Sequence, residues 1–519
     1  MTIFTSPLPA IAVPDVTITE RLFQGLNARP DRVVLIDGPS GRSLTGAALM
    51  EGIRRMAGGL TAAGYGAGHV VALMAPNMPE YCTVFHGVAW AGGTITTINP
   101  TYTEHELRHQ LNDSRAELLI TIPDFLPIAT LAVAGTAVRQ IAVIGHAAGA
   151  TPLDAFMGEP LADQVPVDLD GHIVVLPYSS GTTGLPKGVM LSQRNLTVNV
   201  DQSMALIEVR EGEVTVAFLP FFHIYGMNVM MNLFLTGGAT LVTMPRFDLP
   251  ALLGHVQTHR VRQIFAVPPV AMALAKHPLI DQFDLSSLEV VVSAAAPLGS
   301  ELADACGARL NCVAVQGYGM TEMSPVSHFT SARNARSGAV GLTVPNTECR
   351  ILDIETGAPL PAGQEGELCI RGPQVMKGYL NNPEATARTI DADGWLHTGD
   401  VAMFDADGFL FIRDRLKELI KYKGFQVAPA EVEAVLQSHP AIADAAVIGL
   451  PDDEAGEVPM AFIVPAPGTV PDLDAIRAHV ADRLSSYKRP QRIDVIDAIP
   501  KSASGKILRR ILRERVKAA

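Results

Sequence analysis

The sequence predicts an α/β protein organised as more than one domain. Three observations carry this. Short apolar, β-rich runs alternate with helical patterns as far as residue 293, the signature of βαβ units around buried, mostly parallel strands. The pattern changes after about residue 335, where short strands fall beside turn signals. The 519 residues also exceed what one core ordinarily organises. Hydrophobic residues make up 48% and charged residues 18%, so large cores can be buried and long disordered tracts are not expected.

In order along the chain, residues 54–63 carry a helical pattern and Val70–Met74 a strand ended by Pro76-Asn77. Residues 94–98 and Leu118–Thr121 are further strands, and the alternation resumes at 173–178, 214–219, 239–244, 263–267 and 289–293. Glu348–Leu352 and residues 367–371 flank the turn signals Glu355-Thr356-Gly357 and Gly363-Gln364-Glu365-Gly366, which predicts a small antiparallel or barrel-like piece. A charged segment at 413–423 leads into a compact α+β pattern: a helix from Pro429, then strands at 445–449 and 461–464. The expected division is an N-terminal domain of residues 1–413, with its β-rich subdomain at about 335–412, and a C-terminal domain of residues 414–519.

Composition excludes some functions. A net charge of −13 argues against non-specific nucleic-acid binding. The five cysteines, Cys82, Cys306, Cys312, Cys349 and Cys369, form no Cys-x-x-Cys pair. They read as reduced thiols of a cytoplasmic protein, and neither zinc nor a metal role for the 14 histidines is expected. The first residues lack the basic start of a signal peptide, and Lys517-Ala518-Ala519 is not a peroxisomal tripeptide. Residues 214–245 are nearly uncharged, but Pro220, Gly226 and Gly237-Gly238 interrupt them. The expectation is strand, loop, buried helix, turn and strand, with no membrane insertion.

The chemistry concentrates in a few motifs. A strand ending near Leu176 runs into Ser179-Ser180-Gly181-Thr182-Thr183-Gly184-Leu185-Pro186-Lys187-Gly188, with Ser192 as a candidate helix cap. Glycines let backbone N–H groups approach anionic oxygens, hydroxyls add donors, and Lys187 adds charge. The Walker spacing does not fit. This segment resembles the signature of the adenylate-forming superfamily, specifically its acyl-CoA synthetase branch and 4-coumarate–CoA ligases. Four further motifs follow in that family's order, so the resemblance spans nearly the whole chain.

The resemblance implies roles residue by residue. Ser179, Ser180, Gly181, Thr182, Thr183, Gly184 and Lys187 would cradle ATP phosphates. In Gln316-Gly317-Tyr318-Gly319-Met320-Thr321-Glu322, Glu322 would hold Mg²⁺ together with Thr183. Thr321 would bond the α-phosphate, Tyr318 would stack on adenine, and Gln316 and Gly317 would border the nucleotide. In Trp395-Leu396-His397-Thr398-Gly399-Asp400, Asp400 would accept from both ribose hydroxyls. Arg415 would reach the ribose, Lys417 would mark a mobile hinge at residues 414–417, and Lys421 and Gln426 would face the adenylate. Lys423-Gly424 and Arg246 would meet coenzyme A. Lys506, in Pro500-Lys501-Ser502-Ala503-Ser504-Gly505-Lys506, would bridge the acid's carboxylate and the α-phosphate. Ile507, Leu508, Ile511 and Leu512 behind it should anchor the loop on one helix face.

His223, Tyr225, Ala294, Ala295 and Gly317 are the expected acyl pocket. Residues 366–372, Gly-Glu-Leu-Cys-Ile-Arg-Gly, are close to the second signature box of 4-coumarate–CoA ligases. Leu368, Ser300 and Gly226-Met227 depart from the plant pattern, which leaves the acid open among hydroxycinnamates, other aryl acids and medium-chain fatty acids. The implied reaction joins a carboxylic acid to coenzyme A through an acyl-adenylate, at the expense of ATP. Alternatives are an enzyme that loads a separate carrier protein, a luciferase-like oxygenase, and a nucleotide sensor without turnover.

Overall fold

A computed structural model of the chain describes residues 2–179, 186–423, 425–452, 454–502 and 505–518. It has a large α/β N-terminal portion and a smaller α+β C-terminal one.

The parallel strands expected from the apolar runs form the first sheet. Thr94–Thr97, Val70–Met74, Leu118–Thr121 and Gln140–Val143 lie side by side and parallel. Ile173–Ser179 joins next to Thr94–Thr97 and pairs antiparallel with Lys187–Ser192. Leu118–Thr121 is buried at all four positions, because helices cover both faces of such a sheet. The helix Gly46–Ala62 starts eight residues before the periodicity at 54–63 suggested, at the side chain of Thr45, which caps Ala48 N–H. Ser192 caps the helix Gln193–Met204 in a reciprocal box with Asn195.

The nearly uncharged segment resolves into the strand Val214–Ala217, a fully buried π-helical stretch at Tyr225–Leu233, and the strand Thr240–Thr243. Among the described residues no helix is long and apolar enough to cross a membrane. A third sheet places Gln263–Ala266, Val290–Ser293 and Val313–Gly319 in parallel, and Val326–Phe329 returns antiparallel beside the last.

The β-rich piece is an antiparallel sheet of Glu348–Leu352, Gly366–Arg371, Leu396–Phe404 and Leu410–Arg415. Two features of it were not visible in the local pattern. Phe4–Thr5 adds an edge strand, with Phe4 stacked on Phe404 at 4.3 Å between ring centroids. Gly378–Tyr379 leaves this sheet and pairs with Lys187–Ser192 in the first one.

The C-terminal strands Ile442–Asp452 and Gly456–Pro465 form a long hairpin with its own apolar core, including Val432, Leu436 and Ile476. The final helix is Arg509–Ala518, so Ile507 and Leu508 precede it rather than sharing its face. Leu512 is buried, whereas Ile511 is exposed. Anchoring therefore falls on Leu512, with Ile507 packed against the same apolar core, and on Arg509, whose guanidinium donates to Glu433 Oε1 at 2.7 Å inside the C-terminal portion.

Candidate active site

Strand order places the site. Ser293, the last residue of its strand, is the register partner of Gln316, where the parallel pairing of the two strands ends, so the segments beyond them emerge on one edge of the third sheet. The Gln316 side-chain oxygen accepts the N–H of Leu298 at 3.1 Å and ties the small-residue loop to the motif strand. Between these segments and the π-helical stretch lies a cleft of about 550 Å³, part of it open to solvent.

All five expected acyl-pocket residues, His223, Tyr225, Ala294, Ala295 and Gly317, line this cleft. Lys506 lines the same cleft, although 283 residues separate it from His223 in the chain. Two glycines make that approach feasible. A Cβ on Gly505, whose φ is +80°, would come within 3.2 Å of Val267, and one on Gly317 within 3.1 Å of Phe329. Val292, Val229, Phe265 and Phe329 complete an apolar wall. Nothing local in the sequence singles out these four, because a cleft wall and a filled interior have the same apolar composition.

Electrostatics at the mouth of the cleft are convergent. Burial lowers the pKa of Lys506, and the neighbouring Arg415 lowers it further, while Glu322 and Asp400 oppose the shift. His223 is pushed down to about 3 by burial and by Lys506, so its imidazole is neutral near pH 7. Its Nδ1 accepts the Tyr225 N–H at 3.3 Å. Tyr225 donates its hydroxyl to the Ala266 carbonyl at 3.5 Å.

Glu322 is 4% exposed. One of its oxygens accepts from the Tyr379 hydroxyl at 2.8 Å, a partner delivered by the strand exchange described above. Asp400 is also buried. Its two oxygens are held separately, by the Tyr318 hydroxyl at 2.5 Å and by Arg415 Nε at 3.0 Å. A carboxylate has about four acceptor sites, so capacity for two ribose hydroxyls remains. Tyr318 itself lines the same cleft as Lys506.

Ser179 and Lys187 are cross-strand partners, and Lys187 Nζ sits 4.8 Å from the centre of the Tyr379 ring. Ser180, Gly181, Thr182, Thr183, Gly184 and Gly424 lie outside the described residues. The fit to Mg²⁺ rests on Glu322, a buried carboxylate with one protein donor on one oxygen, in a setting with three cationic side chains nearby.

Other expected residues stand apart. Lys421 and Gln426 are exposed cross-strand partners in the C-terminal sheet. Lys423 is exposed, has φ +45° and pairs with Glu454. Arg246 is on the surface beside the exposed Phe247. Thus Lys506 is in the cleft, while Lys421, Lys423, Gln426 and Arg246 are not among the residues that line it.

Lys417 is brought down to about 8, first by burial and then by Arg415. A lysine with a lowered pKa loses its charge as pH rises through that value. If Lys417 contacts the nucleotide, kcat/KM for ATP should therefore fall as pH rises through about 8, and Lys417→Arg should move that fall well above pH 9. An unchanged pH profile in the variant would show that Lys417 does not contribute charge to ATP capture.

Ala295 has φ +75°, a left-handed backbone in the cleft wall. Replacing it with leucine should fill the slot and lower kcat/KM for aryl acids by about 10–200-fold relative to short aliphatic acids. Uniform loss across the acids would place Ala295 outside the acyl path. Ala295→Gly, which suits the backbone, is the folding control.

A largely apolar cleft meets, at one lysine, a group of anchored carboxylates and cations. This fold and site define a ligase that activates acids on a nucleotide. Residues 22–380 match the AMP-binding enzyme family and residues 431–506 match the AMP-binding enzyme C-terminal domain. The chain belongs to this AMP-binding enzyme family. It is an acid–thiol ligase that works through an acyl-adenylate, with ATP, Mg²⁺ and coenzyme A as reaction partners.

Among its relatives is 4-coumarate–CoA ligase 5 of Oryza sativa subsp. japonica, 44% identical over 99% of this chain and 98% of that one. Another is 4-coumarate–CoA ligase 1 of Petroselinum crispum, 42% identical over 99% and 97%. A structure of the anthranilate CoA ligase AuaEII in complex with anthranoyl-AMP superimposes with a TM-score of 0.91 at 27% identity, covering 99% of each chain. ATP-bound MatB from Rhodopseudomonas palustris gives 0.87 at 28%, covering 97% of this chain and 99% of that one.

Proposed function

We propose that the acid is 4-coumarate or a related hydroxycinnamate or aryl acid, and that free coenzyme A accepts the acyl group in the cytoplasm. The observation that carries this reading is the shared cleft: a slot walled by Phe265, Phe329 and small residues, with Lys506 at the same opening. A flat aromatic acid can lie between such walls with its carboxylate toward the ammonium. Full-length identity to 4-coumarate–CoA ligases supports the substrate class, and five free cysteines suit a reducing compartment.

In the first step the carboxylate attacks the α-phosphorus of ATP and pyrophosphate leaves. Lys506 holds the carboxylate and the α-phosphate together, which neutralises charge where it develops. Thr321 donates to that phosphate, Arg415 and Asp400 hold the ribose, and neutral His223 fills the slot without competing for the proton balance. Glu322, with Thr183, would hold Mg²⁺, which supplies charge neutralisation at the phosphates.

In the second step the thiol attacks the acyl carbon and AMP leaves. Lys423-Gly424 and Arg246 would serve coenzyme A. Lys423 is exposed and apart from the cleft that Lys506 lines, which supports a division at residues 414–417, about which residues 414–519 turn between steps. Lys421 and Gln426 would approach the adenylate in one of the two arrangements.

The test is CoA-dependent AMP formation across a panel of hydroxycinnamates, benzoates and medium-chain fatty acids. Highest kcat/KM on a hydroxycinnamate or another aryl acid is expected. Preference for the fatty acids would overturn the substrate assignment, and adenylate formation without release of an acyl-CoA would overturn the acceptor.

A further inference from the structure

The second signature box and the ribose motif are neighbouring strands, and their pairing assembles something neither segment shows alone. Cys369, in Gly366–Arg371, is the register partner of His397, in Leu396–Phe404. Glu367 lies two residues before Cys369, across a register shift in the same ladder. Cys369 Sγ lies 3.5 Å from His397 Nδ1, and Glu367 Oε2 lies 3.0 Å from the same nitrogen. The three donor atoms fall within 4.8 Å of one another. Tetrahedral zinc with bonds of about 2.3 Å to sulfur and about 2.0 Å to nitrogen or oxygen separates its ligands by about 3.3–3.6 Å. Small side-chain adjustments therefore bring all three donors onto one ion.

The surroundings fit as well. The other ring nitrogen of His397, Nε2, is 3.6 Å from Asp391 Oδ2, the carboxylate partner that a metal-bound histidine ordinarily has. Asp391 is in turn held by Arg350 at 2.7 Å, which offsets the charge of that guanidinium near the thiol. Cys369 is fully buried, while the side chains of His397 and Glu367 are 30% and 18% exposed, so entry is from their side. Burial, then Glu367, pushes the free thiol up to about 12, so a soft cation that takes the place of its proton removes a group that would otherwise stay neutral.

We propose that Glu367, Cys369 and His397 form a binding site for a soft divalent cation of the zinc type, separate from the Mg²⁺ position at Glu322, and that its occupation weakens ATP binding. On binding, the Cys369 S–H proton passes to solvent and the sulfur electron pair goes to the ion. His397 contributes its neutral Nδ1, and Glu367 contributes Oε2. The fourth position is left to water. The link to ATP is short. The other Glu367 oxygen, Oε1, accepts the Gly399 N–H at 3.3 Å, and Gly399 precedes the ribose carboxylate Asp400. Drawing Glu367 toward an ion pulls on that turn. This coupling rests on the ribose role given to Asp400 above, whereas ion binding does not.

The experiment has a binding arm and a kinetic arm. Cobalt(II) added to the full-length protein, with Mg²⁺ in excess, should produce a thiolate-to-cobalt charge-transfer absorption. Zinc should abolish it at one equivalent. Cys369→Ser should lack the band and bind zinc about 100-fold more weakly, and Asp391→Asn should bind about 10-fold more weakly. In the kinetic arm, pyrophosphate release is followed without coenzyme A, whose thiol would itself bind the ion. Zinc should raise KM for ATP about fivefold in the wild type and leave Cys369→Ser unaffected. A wild-type protein without the cobalt band, or a Cys369→Ser protein that binds zinc as tightly, overturns the site. A site confirmed by the cobalt band but with unchanged KM for ATP overturns the coupling and leaves the ligase reading intact.

Discussion

Lys506→Ala should lower pyrophosphate release from ATP and acid by about 10²–10³-fold while sparing acyl-CoA formation from supplied acyl-adenylate. The first half follows from position. Lys506 is the cation of the C-terminal portion that lines the proposed acyl cleft, and both Glu322 and Asp400 act on its charge. A positioned cationic donor stabilises charge that develops in the transition state, and alanine removes it without a substitute. The second half follows from the proposed turn of residues 414–519, which takes Lys506 away before the thiol arrives. Folding should be retained, because backbone contacts define the loop. Ser502 N–H donates to the Lys506 carbonyl at 2.8 Å, and the Lys506 N–H donates to Ser502 Oγ at 3.2 Å. Paired assays of the two half-reactions decide it. Parallel loss of both by a folded variant would refute the division of labour.

The second large effect is expected at Glu322→Gln. The amide keeps the shape of the side chain and can still accept from the Tyr379 hydroxyl, so melting temperature should change little. What it loses is the negative charge. That charge is the proposed Mg²⁺ ligand and also faces Lys506 and Arg415. A loss of about 3 kcal/mol in the transition state corresponds to more than two orders of magnitude in adenylation rate, with a raised requirement for Mg²⁺. Wild-type pyrophosphate release by Glu322→Gln at limiting Mg²⁺ would remove Glu322 from the metal site.

Much of this site was legible in the sequence because its parts are local. Burial on both faces makes a parallel strand a continuous apolar run, so Val70–Met74 and Leu118–Thr121 are found at the bounds their composition suggests. The cap at Ser192 and the helix from Pro429 follow from cap residues and first-turn proline. The residues expected at the acyl pocket, His223, Tyr225, Ala294, Ala295 and Gly317, came from motifs, and one cleft brings all five together. The shared face assigned to Ile511 failed: the helix begins only at Arg509 and turns Leu512 inward while Ile511 stays exposed.

By itself the sequence determined the α/β class, the sheet-forming runs, the motif chemistry and hence the kind of reaction. Those properties depend on residue types within a few positions of one another, where periodicity, capping and loop composition act directly. Tertiary structure alone decided which distant side chains meet. Tyr379 reaches Glu322 because a two-residue strand crosses to another sheet. Lys506 reaches the cleft because Gly505 lets the C-terminal loop lie on Val267. The Cys369–His397 pair exists only through strand register, and a slip of one residue would send one partner to the opposite face of the sheet. Register and sheet order are set by the summed burial of whole strands, and no single motif carries that sum.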